Sequence, residues 1–242
     1  MDIAPGAPGR GIAENLARIQ GRVAAAATRA GRDPKAIAVI AVAKRHPAEA
    51  VRDACAAGAI DIGESYAQEL CAKAEATVDV PAIRWHFIGH LQRNKVKSVV
   101  GRASLIHAVD SDRLARAIDD QAAAMGIVQA VLIAVNVGGE SQKSGVPPSA
   151  AADLFGACQA LPHITVRGLM TMPPLARTAA DNRAHFAALR RLRDDLASAE
   201  NPLAELSMGT TDDFEIAVEE GATLVRIGTA IFGPRPPVRV PT

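Results

Sequence analysis

The sequence predicts an α/β chain folded as a single (β/α)8 TIM barrel with one extra helix at its N-terminus. Three observations carry that prediction. Short apolar runs bounded by Gly, Pro or Asp alternate with amphipathic stretches at a spacing of ~25–30 residues, which is the signature of parallel βαβ units. Eight such units fit into 242 residues, close to the ~250 typical of one barrel. The first run, IAVIAVA at 37–43, is apolar on both faces, as a parallel strand covered on both sides must be. An open doubly wound sheet is the alternative arrangement of the same units.

Residues 1–10, rich in Pro and Gly, read as a flexible lead, and 11–242 as the single barrel domain. A helix over 12–30 places Ile12, Leu16, Ile19 and Val23 on one face and stops at Gly31. The first strand ends at Lys44. A helix over 48–57 stops at Gly58, and a second strand spans 60–64. Then follow a helix over 66–76, a strand over 84–88 ending at Gly89, a short helix over 94–100 and a strand over 105–109. A helix over 113–125 stopped by Gly126, a strand over 130–137 and a glycine-rich loop, GGESQKSGVPP, come next. A helix over 150–160, a strand over 166–170 and a long helix over 182–199 complete six units. The last two lie in 206–233, LSMGTTDDFEIAVEEGATLVRIGTAIFG. There a strand ends at Ser207-Met208-Gly209, and a short helix with Phe214, Ala217 and Val218 as its buried stripe stops at Gly221. Asp212 is its expected N-cap, with Glu215 as capping-box partner. The eighth strand runs over 222–227, and Gly228-Thr229 opens the next turn.

Composition excludes several classes of function. Hydrophobic residues make up 49% and the net charge is +1, so the chain reads as a soluble globular protein without the basic field that collects nucleic acid. Cys55, Cys71 and Cys158 form neither a disulfide framework nor a CxxC zinc pattern, which fits a reducing cytoplasm. No apolar leader and no run of ~20 apolar residues occurs, so neither secretion nor a membrane span is expected. HExxH, GxSxG and GxxxxGK[ST] are absent, which removes the common zinc-protease, α/β-hydrolase and P-loop readings.

Barrel chemistry is found at the C-terminal ends of strands, and phosphate sites at the loops after strands seven and eight. Backbone N–H groups at Gly209, Gly228 and Thr229, with hydroxyls from Ser207 and Thr229, are a candidate phosphate cup; plain turn punctuation is the competing account of those glycines. Lys44 is the first charge after seven apolar residues, which puts an amine at the rim of the mouth, either as a nucleophile for an aldehyde or as a solvated strand terminus. Arg226 interrupts TLVRIG, and an arginine pointing into a barrel must meet an anion or an acceptor. His86, between Trp85 and Phe87, reads as a hydrogen-bonded core histidine; His90, Asp110, Asn136, Thr171 and Met172 mark other strand ends.

Taken jointly, Lys44, GESYAQEL at 63–70, WHFIGHLQRNK at 85–95, VNVGGESQKSGV, RGLMTMPP and SMGTTDDFEIAV…VRIGTAIFG resemble the pyridoxal phosphate homeostasis protein family (YggS type), single-domain relatives of the alanine racemase N-terminal barrel. The resemblance implies pyridoxal 5′-phosphate (PLP) as cofactor, held as an aldimine by Lys44. It assigns Ser207, Met208, Gly209, Gly228 and Thr229 to the phosphate cup, and Arg226 to the pyridine nitrogen. Ser65 stands where the family's motif carries Asn, a shorter polar side chain in the cofactor region. The implied role is storage, buffering or delivery of PLP to apoenzymes in the cytoplasm, by a monomer, without substrate turnover. The alternative is a PLP-dependent amino-acid racemase, and an aldolase-like barrel enzyme is a weaker third. Against a racemase stand three expectations. The only tyrosine, Tyr66, belongs to GESY, Met172 occupies the place of the racemase histidine, and too few residues follow Gly233 for a second domain.

Overall fold

The computed structural model describes residues 11–140, 144–173 and 178–235; the expected flexible lead at 1–10 lies outside the described residues. Eight strands pair in parallel in chain order: β1 (Ala38–Val42), β2 (Asp61–Glu64), β3 (Arg84–Phe87), β4 (Leu105–Val109), β5 (Gln129–Ala134), β6 (Ile164–Met170), β7 (Glu205–Ser207) and β8 (Leu224–Ile227). β8 closes on β1 with Ile40 level with Arg226 and Ala41 with Ile227, so the sheet is a closed barrel and not an open one. Around it lie α1 (Ile12–Arg29), α2 (Ala48–Ala56), α3 (Ala67–Ala76), α4 (Val96–Val99), α5 (Asp112–Met125), α6 (Ala151–Gln159), α7 (Ala179–Leu196), α8 (Phe214–Glu219) and α9 (Thr229–Phe232).

Alternation along each strand sorts side chains into two cores. Ile62, Trp85, Phe87, Ile106, Leu206, Val225 and Ile227 face outward and pack beneath the helices. Ile40, Val42, Leu105, Leu132, Ala134, Met170 and Leu224 fill the lumen. Lys44 continues the inward parity of Ile40 and Val42 just past the end of β1. Arg226 shares the inward parity of Leu224.

Several boundaries depart from the expected ones for local reasons. The strand expected over 130–137 stops at Ala134, because Asn136 turns the chain by donating its side-chain N–H to the Glu140 carbonyl at 2.7 Å. The helix expected over 182–199 starts at Ala179, where Thr178 and Asp181 form a reciprocal capping box. The helix expected over 94–100 is a 3-10 turn, Arg93–Lys95, running into the four-residue α4. Asp212 is not the cap of α8. The capping position belongs to Asp213, whose carboxylate instead accepts from the Thr210 N–H (2.6 Å) and hydroxyl (3.1 Å), while Glu215 pairs with Arg22 at 3.1 Å.

α1, the element extra to the eight units, fastens the helices that carry the last two loops. Leu16, Ile19, Val23, Ala26 and Ala27 form its buried face. Asn15 donates to the Ile231 carbonyl (3.1 Å) and Arg18 to that of Ala230 (3.2 Å), which pins α9. Arg22 lies over the Phe214 ring at 4.8 Å from its centroid, and Arg32 donates to the Val218 carbonyl at 2.6 Å, which pins α8. Truncating the fully buried Ile19 to Ala is therefore expected to cost about 2–5 kcal/mol in urea unfolding. A loss below 0.5 kcal/mol, on the order of a surface substitution, would mean that α1 is dispensable to the barrel.

Candidate functional site at the barrel mouth

Arg226 places a charged group in the lumen. Its guanidinium is buried, and burial pulls it down to about 10, with the Asp213 carboxylate partly opposing the shift. It donates to the Ser207 hydroxyl at 2.6 Å and to the Thr171 carbonyl at 2.8 Å. Those partners sit at the C-terminal ends of β7 and β6, so the charged head lies at the mouth. Thr171 is itself fixed, its hydroxyl donating to the Val135 carbonyl (2.8 Å) and its N–H to that of Ser207 (3.0 Å). The expectation that Arg226 must find an acceptor is met by neutral oxygens; among the described residues no carboxylate bonds it directly. A buried cation without a paired anion suits a polar ligand that brings an acceptor.

Lys44 is half-buried at the rim, with its amine 4.8 Å from the Tyr66 ring centroid. The backbone on either side of it is clamped. The Ala43 carbonyl accepts from the Lys73 ammonium at 2.7 Å, and the Arg45 N–H donates to Glu69 at 2.7 Å. Lys73 also bonds Glu64 at 2.5 Å and Glu69 at 2.9 Å, so a buried carboxylate–ammonium–carboxylate cluster between β2 and α3 holds the residues flanking Lys44. Arg45 takes the left-handed conformation (φ 65°) inside this clamp. The motif residue Glu64 thus faces outward into the clamp, and Lys73 is a site-supporting residue that the sequence reading missed. Its spacing of four from Glu69 was the available signal.

The loops after β7 and β8 meet beside the end of β1. Gly209 has φ +89°, and a Cβ there would lie 2.5 Å from the Ala217 methyl and 2.9 Å from the Phe214 Cα; no side chain fits. A Cβ on Gly228 would touch the Val42 carbonyl oxygen at 3.5 Å, which seats the α9 turn against the strand that leads to Lys44. The N–H groups opening a helix have no intrahelical acceptor, so Thr229 and its neighbours present donors at this point. Two of the expected cup residues have protein partners of their own. The Met208 side chain is buried in the outer core and its N–H bonds the Leu224 carbonyl at 3.1 Å. The Ser207 hydroxyl is fully buried between Arg226 and His107, the latter at 2.8 Å. Ser65 is half-buried beside Tyr66, its backbone in close approach to Gly89. His90 lies apart, near Ser144 (3.2 Å) and Asp110 (3.4 Å).

Burial pushes the Glu64 carboxyl up to about 7, against the opposing pull of Lys73. A folded-state carboxyl that binds its proton more tightly than the unfolded one loses stability as pH rises between the two values. Stability measured from pH 5 to pH 8 should therefore fall more steeply for the unaltered protein than for Glu64→Gln. Parallel profiles would place the Glu64 charge outside the clamp's energetics.

The alanine racemase N-terminal domain model matches residues 15–236 of the chain. A pyridoxal phosphate homeostasis protein of Aquifex aeolicus is 45% identical over 223 residues, 92% of this chain and 97% of its own. One of Pseudomonas aeruginosa is 43% identical over 93% of this chain and 96% of its own. The structures of PipY from Synechococcus elongatus PCC7942 without and with PLP bound have TM-scores of 0.83 and 0.81, at 37% and 36% identity, over 92% of this chain and 100% of theirs. An alanine racemase of Corynebacterium glutamicum, 19% identical with a TM-score of 0.64, covers 93% of this chain and 63% of its own, and shares the fold. Matched over nearly its whole length, the chain belongs to the pyridoxal phosphate homeostasis protein family, built on the alanine racemase N-terminal barrel.

Proposed function

We propose that this chain binds PLP at the barrel mouth, joined covalently to Lys44, and stores, buffers or delivers the cofactor inside the cell without turning over a substrate. The observation that carries the reading is the clamp: a half-buried primary amine on the inward row of β1, its backbone held on both sides by Lys73 and Glu69. PLP supplies an aldehyde that condenses with a primary amine. The donor set fits such a group chemically, with an amine for the aldehyde, backbone donors at Gly209, Gly228 and Thr229 for a dianion, and a fixed guanidinium at Arg226 for the pyridine nitrogen. Ser207 and Met208 serve from behind, Ser207 by orienting Arg226 and Met208 by anchoring the strand end. Ser65 borders the same mouth beside Tyr66. The PLP-bound PipY structure and the names borne by the relatives support this reading.

The non-catalytic reading is supported by what surrounds Lys44. Racemisation removes a proton from one face of a carbon and returns one to the other, so it needs a base on each side. The sequence has one tyrosine, and its ring lies on Lys44 itself. At the position of the racemase histidine stands Met172, which is exposed. Recipient apoenzymes, a monomeric state and a cytoplasmic location complete the proposal; among the described residues no helix is long and apolar enough to cross a membrane.

Lys44→Arg keeps the positive charge and removes the primary amine, so the yellow colour on PLP addition should disappear while a weaker, dialysable complex persists. Borohydride should fix one PLP on Lys44 in the unaltered protein, and fixation on another lysine would refute the assignment. Gly209→Asp forces a side chain against Ala217 and brings an anion to the cup, and should weaken PLP binding by at least roughly tenfold, the scale of 1.4 kcal/mol. Undiminished binding would move the cup elsewhere. Sustained formation of D-alanine from L-alanine would overturn the carrier reading and leave Lys44 in place.

A further inference from the structure

A row of buried polar side chains crosses the lumen from the mouth to the foot of the barrel. Arg226 donates to the Ser207 hydroxyl at 2.6 Å. The Ser207 oxygen lies 2.8 Å from His107 Nδ1, and His107 Nε2 lies 3.0 Å from His86 Nδ1. His86 Nε2 lies 2.9 Å from the Asp61 carboxylate, which Arg84 grips with two bonds of 2.7 and 2.6 Å. The contributing strands are β8, β7, β4, β3 and β2, so the row spans the barrel. Ser207 and His107 are fully buried and His86 and Asp61 nearly so, which leaves each bond to be satisfied within the row. Arg84, more than half exposed, reaches solvent at the foot.

The direction of the row follows from its two ends. A guanidinium only donates, and an ionised carboxylate only accepts. Asp61 therefore takes the Nε2–H of His86, and the Nδ1 of a neutral His86 is then the acceptor for the Nε2–H of His107. His107 Nδ1 is left to accept the Ser207 hydroxyl proton, and the Ser207 lone pairs are left for Arg226. Between Asp61 and Ser207 every donor then meets an acceptor, while Arg226 keeps N–H groups beyond the two it commits to Ser207 and Thr171. Burial opposes the Asp61 charge, but the bonds from His86 and Arg84 hold its carboxyl below the usual range. Burial, with the Arg226 charge adding to it, holds His107 well below the usual histidine range and so neutral.

We propose that Asp61, His86 and His107 are positioning residues, whose one-way chain of donors, anchored at Asp61, turns the Ser207 hydroxyl away from the ligand and presents its lone pairs to Arg226. The consequence for a ligand rests on the PLP reading above; the direction of the chain does not. Ser207 acts in this account through Arg226, not as a phosphate donor. The charged and titratable groups facing the histidines are Asp61 on β2, Arg84 on β3 and Arg226 on β8, with Glu205 on β7 acting on Arg84 through space.

The test uses the full chain labelled with 15N-histidine and free of PLP. Two-bond proton–nitrogen spectra, assigned with His86→Leu and His107→Gln variants, report which ring nitrogen carries the proton. Both His86 and His107 should be protonated at Nε2 near pH 7.5, and an Nδ1–H on either ring overturns the proposal. Asp61→Asn removes the anionic acceptor and should release His107 into a mixture of tautomers. Arg84→Met removes a charge of the same pair but leaves the acceptor, and should not. A merely structural role predicts equal effects from the two. If Asp61→Asn does not fold, His86→Leu asks the same question from the middle of the row, and a His107 tautomer unchanged in the folded variant overturns the coupling. PLP titration then reads the consequence. Binding should weaken roughly tenfold in Asp61→Asn, the lower end of what outer-shell partners contribute, and stay within about twofold in Arg84→Met. Unaltered affinity in an Asp61→Asn protein whose tautomers have moved would overturn the positioning role. Failure of the unaltered protein to bind PLP would sink the carrier reading and leave the tautomers standing.

Discussion

A guanidinium buried inside a closed barrel constrains everything around it. Moving an ion from water into a low-dielectric interior costs several kcal/mol even after relaxation, and among the described residues no carboxylate bonds Arg226 directly, Asp213 offsetting only part of that cost through space. The structure meets the cost with oriented oxygens. Thr171 offers a carbonyl held in place by two bonds of its own, and Ser207 offers a hydroxyl held by His107. Hydrogen bonds to a charged group are worth about 1.5–3 kcal/mol each, so two of them leave the cation tolerated rather than saturated. That residual appetite for an acceptor, at the mouth of the barrel, is what makes the position useful to a ligand.

The barrel wall separates two electrostatic systems that serve the same mouth. On β2, Asp61 and Glu64 are three residues apart and so face opposite sides of the strand. Asp61 points into the lumen and ends the row that orients Arg226. Glu64 points out under α3 and, with Lys73 and Glu69, grips the backbone around Lys44. One strand of four residues therefore supports both polar ends of the site, from inside and from outside. α1 adds a third support by tying α9, whose first turn abuts the end of β1, to the outer layer through Asn15 and Arg18.

How legible the site was in the sequence depended on how local each signal is. Lys44 and Arg226 stood out because a charge that ends or interrupts an apolar run is visible within ten residues. The barrel was legible for the same reason, through the repeated alternation of strands and helices. His107 was not, because LIHAV gives no hint of its partner Ser207, a hundred residues later. Lys73 was missed, because nothing within its own stretch of sequence marks it as buried; its burial arises only when α3 lays it across Ala43. The choice between Asp212 and Asp213 was invisible locally, since both satisfy the same capping preference; the geometry of the Thr210 turn decided it. Ser207 was identified as a candidate, but its contacts to Arg226 and His107 were not, because the sequence shows a hydroxyl and not the direction in which it is held.

The same arrangement bears on why a barrel shared with racemases suits a holding role. Catalysis at the carbon next to an amine needs groups free to take and return protons, whereas holding needs groups that stay put. Nearly every ionisable side chain around this mouth is committed. Glu64, Glu69 and Lys73 bond one another and the backbone, and Asp213 is bound to Thr210. Arg226, even lowered to about 10, keeps its proton at neutral pH. On the proposed placement such a fixed cation faces the pyridine nitrogen, disfavours its protonation and so weakens the ring as an electron sink. Racemases tolerate that handicap by supplying a second base. Here the one tyrosine of the sequence packs against Lys44 itself. Uncommitted nucleophilic character at the mouth is concentrated in Lys44, the group that reversible attachment of an aldehyde requires.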